Sequence, residues 1–91
     1  MDNVPTLDNI EFQPHVTLPD AIQGQIKLAN GVTVSVVAGP RLCGDIDDDT
    51  WEVAAWKDDG VWLRLAEYDD VATWITREEV NEIIRRLASA A

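Results

Sequence analysis

The chain is short of most of what chemistry at a protein site commonly uses. It has one cysteine, Cys43, and one histidine, His15. A single cysteine excludes an internal disulfide, so the fold must be held by its core, and it points to a reducing compartment or indifference to redox state. No second histidine stands by to share a metal site with His15, and Cys43 has no cysteine or histidine beside it. The five glycines form no phosphate-binding pattern: Gly39-Pro40-Arg41 reads as a turn, and no glycine-rich loop precedes a helix. Seven basic residues, scattered along the chain, are too few for a nucleic-acid surface. No apolar run approaches the roughly 20 residues of a membrane span. The opening Met1-Asp2-Asn3-Val4-Pro5 has neither a basic region nor an apolar stretch, so it does not read as a signal peptide. Direct nucleic-acid binding and membrane association are thereby disfavoured, and a soluble, cytoplasmic protein is expected.

What the chain does have is acid. Seventeen acidic residues stand against seven basic ones in 91 positions, a net charge of −10. The excess is uneven. Residues 45–82 hold thirteen of the acids and three of the bases, while the flanks carry −2 and +2 and cancel. A field of this sign repels phosphate backbones and anionic lipid and favours basic partners or cations. Hydrophobic content of 46%, with four tryptophans, argues against disorder despite that charge. The length suits one domain near the lower limit for a self-sufficient core.

Residues 1–23 are punctuated by Pro5, Pro14 and Pro19, each of which withholds a backbone donor and disfavours helix in the residue before it. Leu7, Ile10, Phe12, Val16 and Leu18 are too many apolar side chains for a free tail. An extended arm packing on the body, with one short strand, is expected; 24–91 is the body. Residues 24–38 read as a hairpin around Asn30-Gly31. A two-residue loop would split the apolar side chains between faces. A three-residue loop, 29–31, pairs Leu28 with Val32 and Ile26 with Val34 and makes one face apolar, with Gly31 left-handed. The same reasoning sets Trp51–Lys57 against Val61–Ala66 around Asp58-Asp59-Gly60, with Ala55 opposite Leu63 and Trp56 opposite Trp62. Val71–Ile75 reads as a further edge strand.

The last element has the strongest local signal. Thr76-Arg77-Glu78-Glu79 is a capping box, with Ile75 and Val80 placed to form the hydrophobic staple. Val80, Ile83, Ile84, Leu87 and Ala88 then follow the spacing of an amphipathic helix. The expected fold is α+β: a small antiparallel sheet of two hairpins packed on one C-terminal helix, 76–89. Ile26, Leu28, Val32, Val34, Val53, Ala55, Leu63, Leu65, Val80, Ile83, Ile84 and Leu87 form its expected core.

Candidate sites follow from the acid and the aromatics. Asp45-Ile46-Asp47-Asp48-Asp49 resembles the opening of a calcium loop, but Thr50 stands where the loop needs glycine and Trp56 where it needs glutamate. A solvated acidic loop is the simpler reading, and no metal or cofactor is expected. Paired carboxylates on exposed turns have no environment to separate their pKa values for acid–base work, so no catalytic residues are assigned. Trp56 and Trp62 form a cross-strand pair on the face away from the helix. Either the arm, through Phe12 or Ile10, covers them as a second small core, or they stay exposed as an aromatic patch rimmed by acid, the make-up of a binding hot spot. Trp51 and Trp74 are expected in the core.

The order Asn30-Gly31-Val32-Thr33-Val34-Ser35-Val36, then Trp51-Glu52-Val53-Ala54, then Asp70-Val71 leading to Thr76-Arg77-Glu78-Glu79-Val80, resembles short uncharacterised proteins of tailed bacteriophages. The resemblance covers residues 24–88. It implies a phage-encoded origin and a protein acting in the host cytoplasm. It also implies binding to a host enzyme such as a defence nuclease, as an inhibitor or DNA mimic whose carboxylates stand where phosphates would sit. The expectation is therefore a non-enzymatic protein that binds a basic protein surface. Its expected contacts are Asp45, Asp47, Asp48, Asp49, Asp58, Asp59, Glu67, Asp69 and Asp70, with Trp56 and Trp62. The alternative is a homo-oligomeric phage structural or scaffold component joined through the Trp56/Trp62 face.

Overall fold

The computed structural model describes residues 4–15, 17, 20–39, 44–63, 65 and 71–89. The readings made above on Cys43, Glu67, Asp69 and Asp70 lie outside them. The fold is α+β, a five-stranded antiparallel sheet with a C-terminal helix on one face. The strands are β1 (Gln13–Pro14), β2 (Ile22–Lys27), β3 (Thr33–Ala38), β4 (Thr50–Trp56) and β5 (Val71–Thr76), and they lie side by side in chain order. The helix α1 spans Arg77–Ser89.

β2 and β3 pair with Ile26 opposite Val34, and the Leu28 N–H donates to the Val32 carbonyl at 2.7 Å, so the connection is a three-residue loop. Gly31 closes it at φ +89°, where a side chain would be strained. The turn after β4 repeats the device. The Lys57 N–H donates to Val61 at 3.0 Å, the Leu63 N–H donates to Ala55 at 2.8 Å, and Gly60 sits at φ +83°. Trp56 and Trp62 face each other across that ladder.

The ladder is shorter than Val61–Ala66 suggests. Among the described residues only Trp62 makes a bridge, and the long partner of β4 on that side is β5, which takes Thr50–Ala54. One edge of β4 is thus divided between two segments of the chain. β5 reaches its register through a bulge: Val53 pairs with Ala72 and Trp51 with Ile75, so Thr73 and Trp74 together oppose one residue of β4. The extra residue breaks the two-residue alternation. Ile75 turns into the core at 2% exposure, while Trp74 adopts φ +55° and is turned out. Trp74 is therefore not a core residue, contrary to the sequence expectation.

β5 runs directly into the helix. The Glu79 N–H donates to Thr76 Oγ1 at 3.3 Å and the Thr76 N–H donates to Glu79 Oε1 at 2.9 Å, closing the capping box. Val80, Ile83, Ile84 and Leu87 are buried against Val34, Val36, Val53, Ala55, Leu65 and Ala72 of the sheet side. Ile26 and Leu63, expected in the core, lie partly buried at its margin. Asn30 ties the β2–β3 loop to the helix end, donating from Nδ2 to the Leu87 carbonyl at 2.8 Å. That bond satisfies one of the carbonyls a helix C-terminus leaves open.

The N-terminal segment closes the same side. A 3-10 turn at Leu7–Asn9 buries Leu7, the next residue Ile10 is also buried, and the Leu7 N–H donates to Asn81 Oδ1 of α1 at 2.8 Å. Phe12 stacks on Trp51 with ring centroids 5.2 Å apart. The arm passes so close over β2 that a Cβ on Gly24 would lie 2.4 Å from Ile10 Cγ2. Helix and arm together seal one face of the sheet, and β1 extends its edge through Gln13 and Pro14.

Candidate binding surfaces

The other face is bare among the described residues. Register places its side chains in three rows across the strands: Gln23, Val37 and Glu52; Gln25, Ser35, Ala54 and Val71; Lys27, Thr33, Trp56 and Trp62. The alternation along β4 is strict, odd residues buried and even ones half-buried, which is the pattern of a sheet with one dry side and one wet side.

Trp56 and Trp62 stand at one end of this open face, ring centroids 5.5 Å apart and planes inclined by 39°. Phe12 and Ile10 of the arm do not cover them, since both are committed to Trp51 and the main core. Trp62 is 52% exposed and its neighbour Val61 is 55% exposed. Most soluble proteins scatter such side chains; here two adjoin a half-buried third. The adjacent loop is ordered by its own acids. Asp58 pairs with Lys27 Nζ at 2.8 Å, and Asp59 Oδ1 accepts the Val61 N–H at 3.0 Å.

The acidic segment 45–49 lies at the opposite end of β4. Six residue steps separate Thr50 from Trp56, roughly 20 Å at the usual strand rise. The carboxylates that look continuous in sequence are thus divided between two poles, and those at 45–49 are unequal. Asp45 opens a 3-10 turn at Ile46–Asp48; its carboxylate accepts the Asp47 N–H at 3.0 Å and its carbonyl accepts from Thr50. Asp49, in the left-handed region at φ +53°, is a structural strut. Its Oδ1 accepts the Trp51 indole N–H at 2.9 Å, and its Oδ2 accepts Arg77 Nε at 3.2 Å. The indole bond first, and Arg77 after it, hold the Asp49 carboxyl below the ordinary carboxylate range. Arg77 also reaches Asp8 of the arm, and Asp49 and Asp8 hold its guanidinium above its usual range. One arginine at the start of α1 therefore ties together the helix, the acidic loop and the arm. Sequence reasoning placed Arg77 only inside the capping box, because ion pairs between distant segments leave no local pattern.

Asp45, Asp47 and Asp48 are the carboxylates of this loop with no ion pair among the described residues, and of these Asp45 accepts a backbone N–H. No three histidine, cysteine or acidic side chains among the described residues converge as a metal site would require. No described helix is long and apolar enough to cross a membrane. Comparison of the chain with protein-family models, with curated proteins and with solved structures finds no match.

Proposed function

We propose that the protein is a non-enzymatic binding module whose Trp56/Trp62 end of the open face anchors a basic protein surface. The observation that carries this reading is the exposure of Trp62 and Val61 beside a half-buried Trp56 on a sheet face that no described segment covers. Large rigid aromatics backed by a packed neighbour are what interface hot spots are made of. The net charge of −10 selects the sign of the partner, and an indole face attracts lysine or arginine directly. The phage resemblance makes a host protein the natural target.

The acidic loop is the weaker anchor. Its distance from Trp62 exceeds the roughly 8 Å over which charges act at physiological salt, so it steers encounter at the other pole or not at all. The DNA-mimic version of this function places the contact there instead, on Asp45, Asp47 and Asp48. The two versions part on kinetics. Trp62→Ala should speed dissociation of a captured partner with little salt dependence. Asp47→Asn with Asp48→Asn should leave both rates unchanged at physiological salt. Slower association in the aspartate variant, with Trp62→Ala binding like the parent, would move the contact to the acidic loop. The structural-component reading predicts a wild-type oligomer that Trp62→Ala converts to monomer, read by sedimentation.

A further inference from the structure

A second feature of the open face is independent of the aromatic pair. Over β1, β2 and β3 the surface hollows into a groove of about 430 Å³, lined by Glu11, Gln13, Gln23, Gln25, Ser35 and Val37. Its construction follows from register. Gln13 opposes Gln23, Gln23 opposes Val37 and Gln25 opposes Ser35, so long amides on β1 and β2 stand beside shorter side chains on β3. The hollow is the step between them.

Three amides, a hydroxyl and a carboxylate meet there, and none of these side chains hydrogen-bonds to another described residue. Each amide offers both donors and acceptors, and the hydroxyl does the same. Among the described residues no lysine or arginine lines the groove. Lys27, the described cation in the next row of that face, is held by Asp58 at 2.8 Å. An anionic ligand would meet Glu11 and the −10 field with nothing to pair with. An apolar ligand would find only Val37 and would strip water from three amides without replacing it. A polycation would find one carboxylate.

We propose that this groove binds a neutral, hydroxyl-rich ligand of the saccharide class. Sugar hydroxyls match amides and a serine hydroxyl in being donors and acceptors at once, Glu11 takes a hydroxyl proton as an acceptor, and Val37 receives the apolar C–H face of a ring. Because every contact competes with water, affinity rests on several simultaneous bonds, and each one removed should weaken binding about two- to tenfold.

The test uses the isotope-labelled full chain and amide chemical shifts. The probes are short neutral oligomers of glucose, mannose, galactose and N-acetylglucosamine, a sulfated oligosaccharide, and a neutral polar peptide. At least one neutral saccharide should give saturable shifts at Gln23, Gln25, Ser35 and Val37. Gln23→Ala with Gln25→Ala should abolish those shifts while leaving the rest of the spectrum in place. Trp62→Ala should retain them, which separates this groove from the aromatic surface. No response to any neutral saccharide would overturn the proposal. So would a stronger response to the sulfated chain or to the peptide, or saccharide shifts confined to Trp56 and Trp62.

Discussion

The two faces of the sheet are built from the same strands to opposite ends. On the helix side, Val34, Val36, Val53, Ala55 and Ala72 are wholly buried beneath Val80, Ile84 and the arm. On the open side, the intervening residues of those same strands are mostly polar or small, among them Gln23, Gln25, Lys27, Thr33, Ser35, Glu52 and Ala54, with Val37, Val71 and Trp56 as the larger apolar side chains. The buried apolar side chains are concentrated on the first face, and the recognition proposed above is placed on the second. The lesson is that the alternation of a β-strand is enough to give one 91-residue chain a dry face and a wet face.

Substitutions on each side test that separation. Ile84 is fully buried in mid-helix, so Ile84→Ala should cost about 2–5 kcal/mol in urea unfolding. That is a large share of the stability of so small a domain. A loss below about 1 kcal/mol would mean that the helix face is not where the fold is held.

The loop at the end of β4 comes next. Gly60 has φ +83° with nothing within 4 Å of a built Cβ, so Gly60→Val should cost about 1–3 kcal/mol through backbone strain alone. Gly60→Asn should cost distinctly less, since asparagine tolerates the left-handed region. Equal costs would remove the three-residue loop that sets Trp56 against Trp62.

On the open face the effect on stability should be smaller. Trp62→Ala loses an aromatic pair that is half in water, worth about 0.5–1.5 kcal/mol, while its effect on partner dissociation should be large. A stability loss as great as that of Ile84→Ala would show the pair to be core, and would erase the contrast between the faces.

The smallest effect is at Asp49. Its folded-state pKa lies below the ordinary 3.8, so its contribution is complete above that value and is lost as pH falls through the folded one. The carboxylate is half-exposed and screened, which limits the contribution to about 1 kcal/mol or less. The stability advantage of wild type over Asp49→Asn at neutral pH should therefore shrink on moving from about pH 5 to about pH 3. No advantage of wild type over Asp49→Asn at neutral pH would assign the role of Asp49 to its hydrogen bond with Trp51, which asparagine can keep, rather than to its charge.

Much of the fold was legible because its signals are local. Gly31 and Gly60 mark loops whose register follows from keeping one face apolar, and the Thr76–Glu79 capping box with its apolar spacing marks the helix. Each involves residues a few positions apart, so chain geometry alone decides it. The candidate surfaces were legible only in part. Trp56 and Trp62 came from register, whereas the groove beside Gln23 and Gln25 was not read from the sequence, because it depends on the arm and three strands lying side by side.

What only the tertiary structure decided is everything that depends on competition between distant segments. The edge of β4 had two claimants, and the division between residues 61–63 and β5 follows from which one can also bury Ala72 and Ile75 under the helix. The bulge that makes this fit reverses the alternation beyond Thr73, and so expels Trp74 while Trp51 stays in. The same packing sends Asp45–Asp49 and Asp58–Asp59 to opposite poles and sets Asp49 between Trp51 and Arg77. The sequence by itself determined the turns, the cap, the order of strands and helix, and the sign of the charge. Which tryptophans and carboxylates face solvent was left to the three-dimensional register, because a one-residue shift changes every side chain beyond it and no local pattern records that choice.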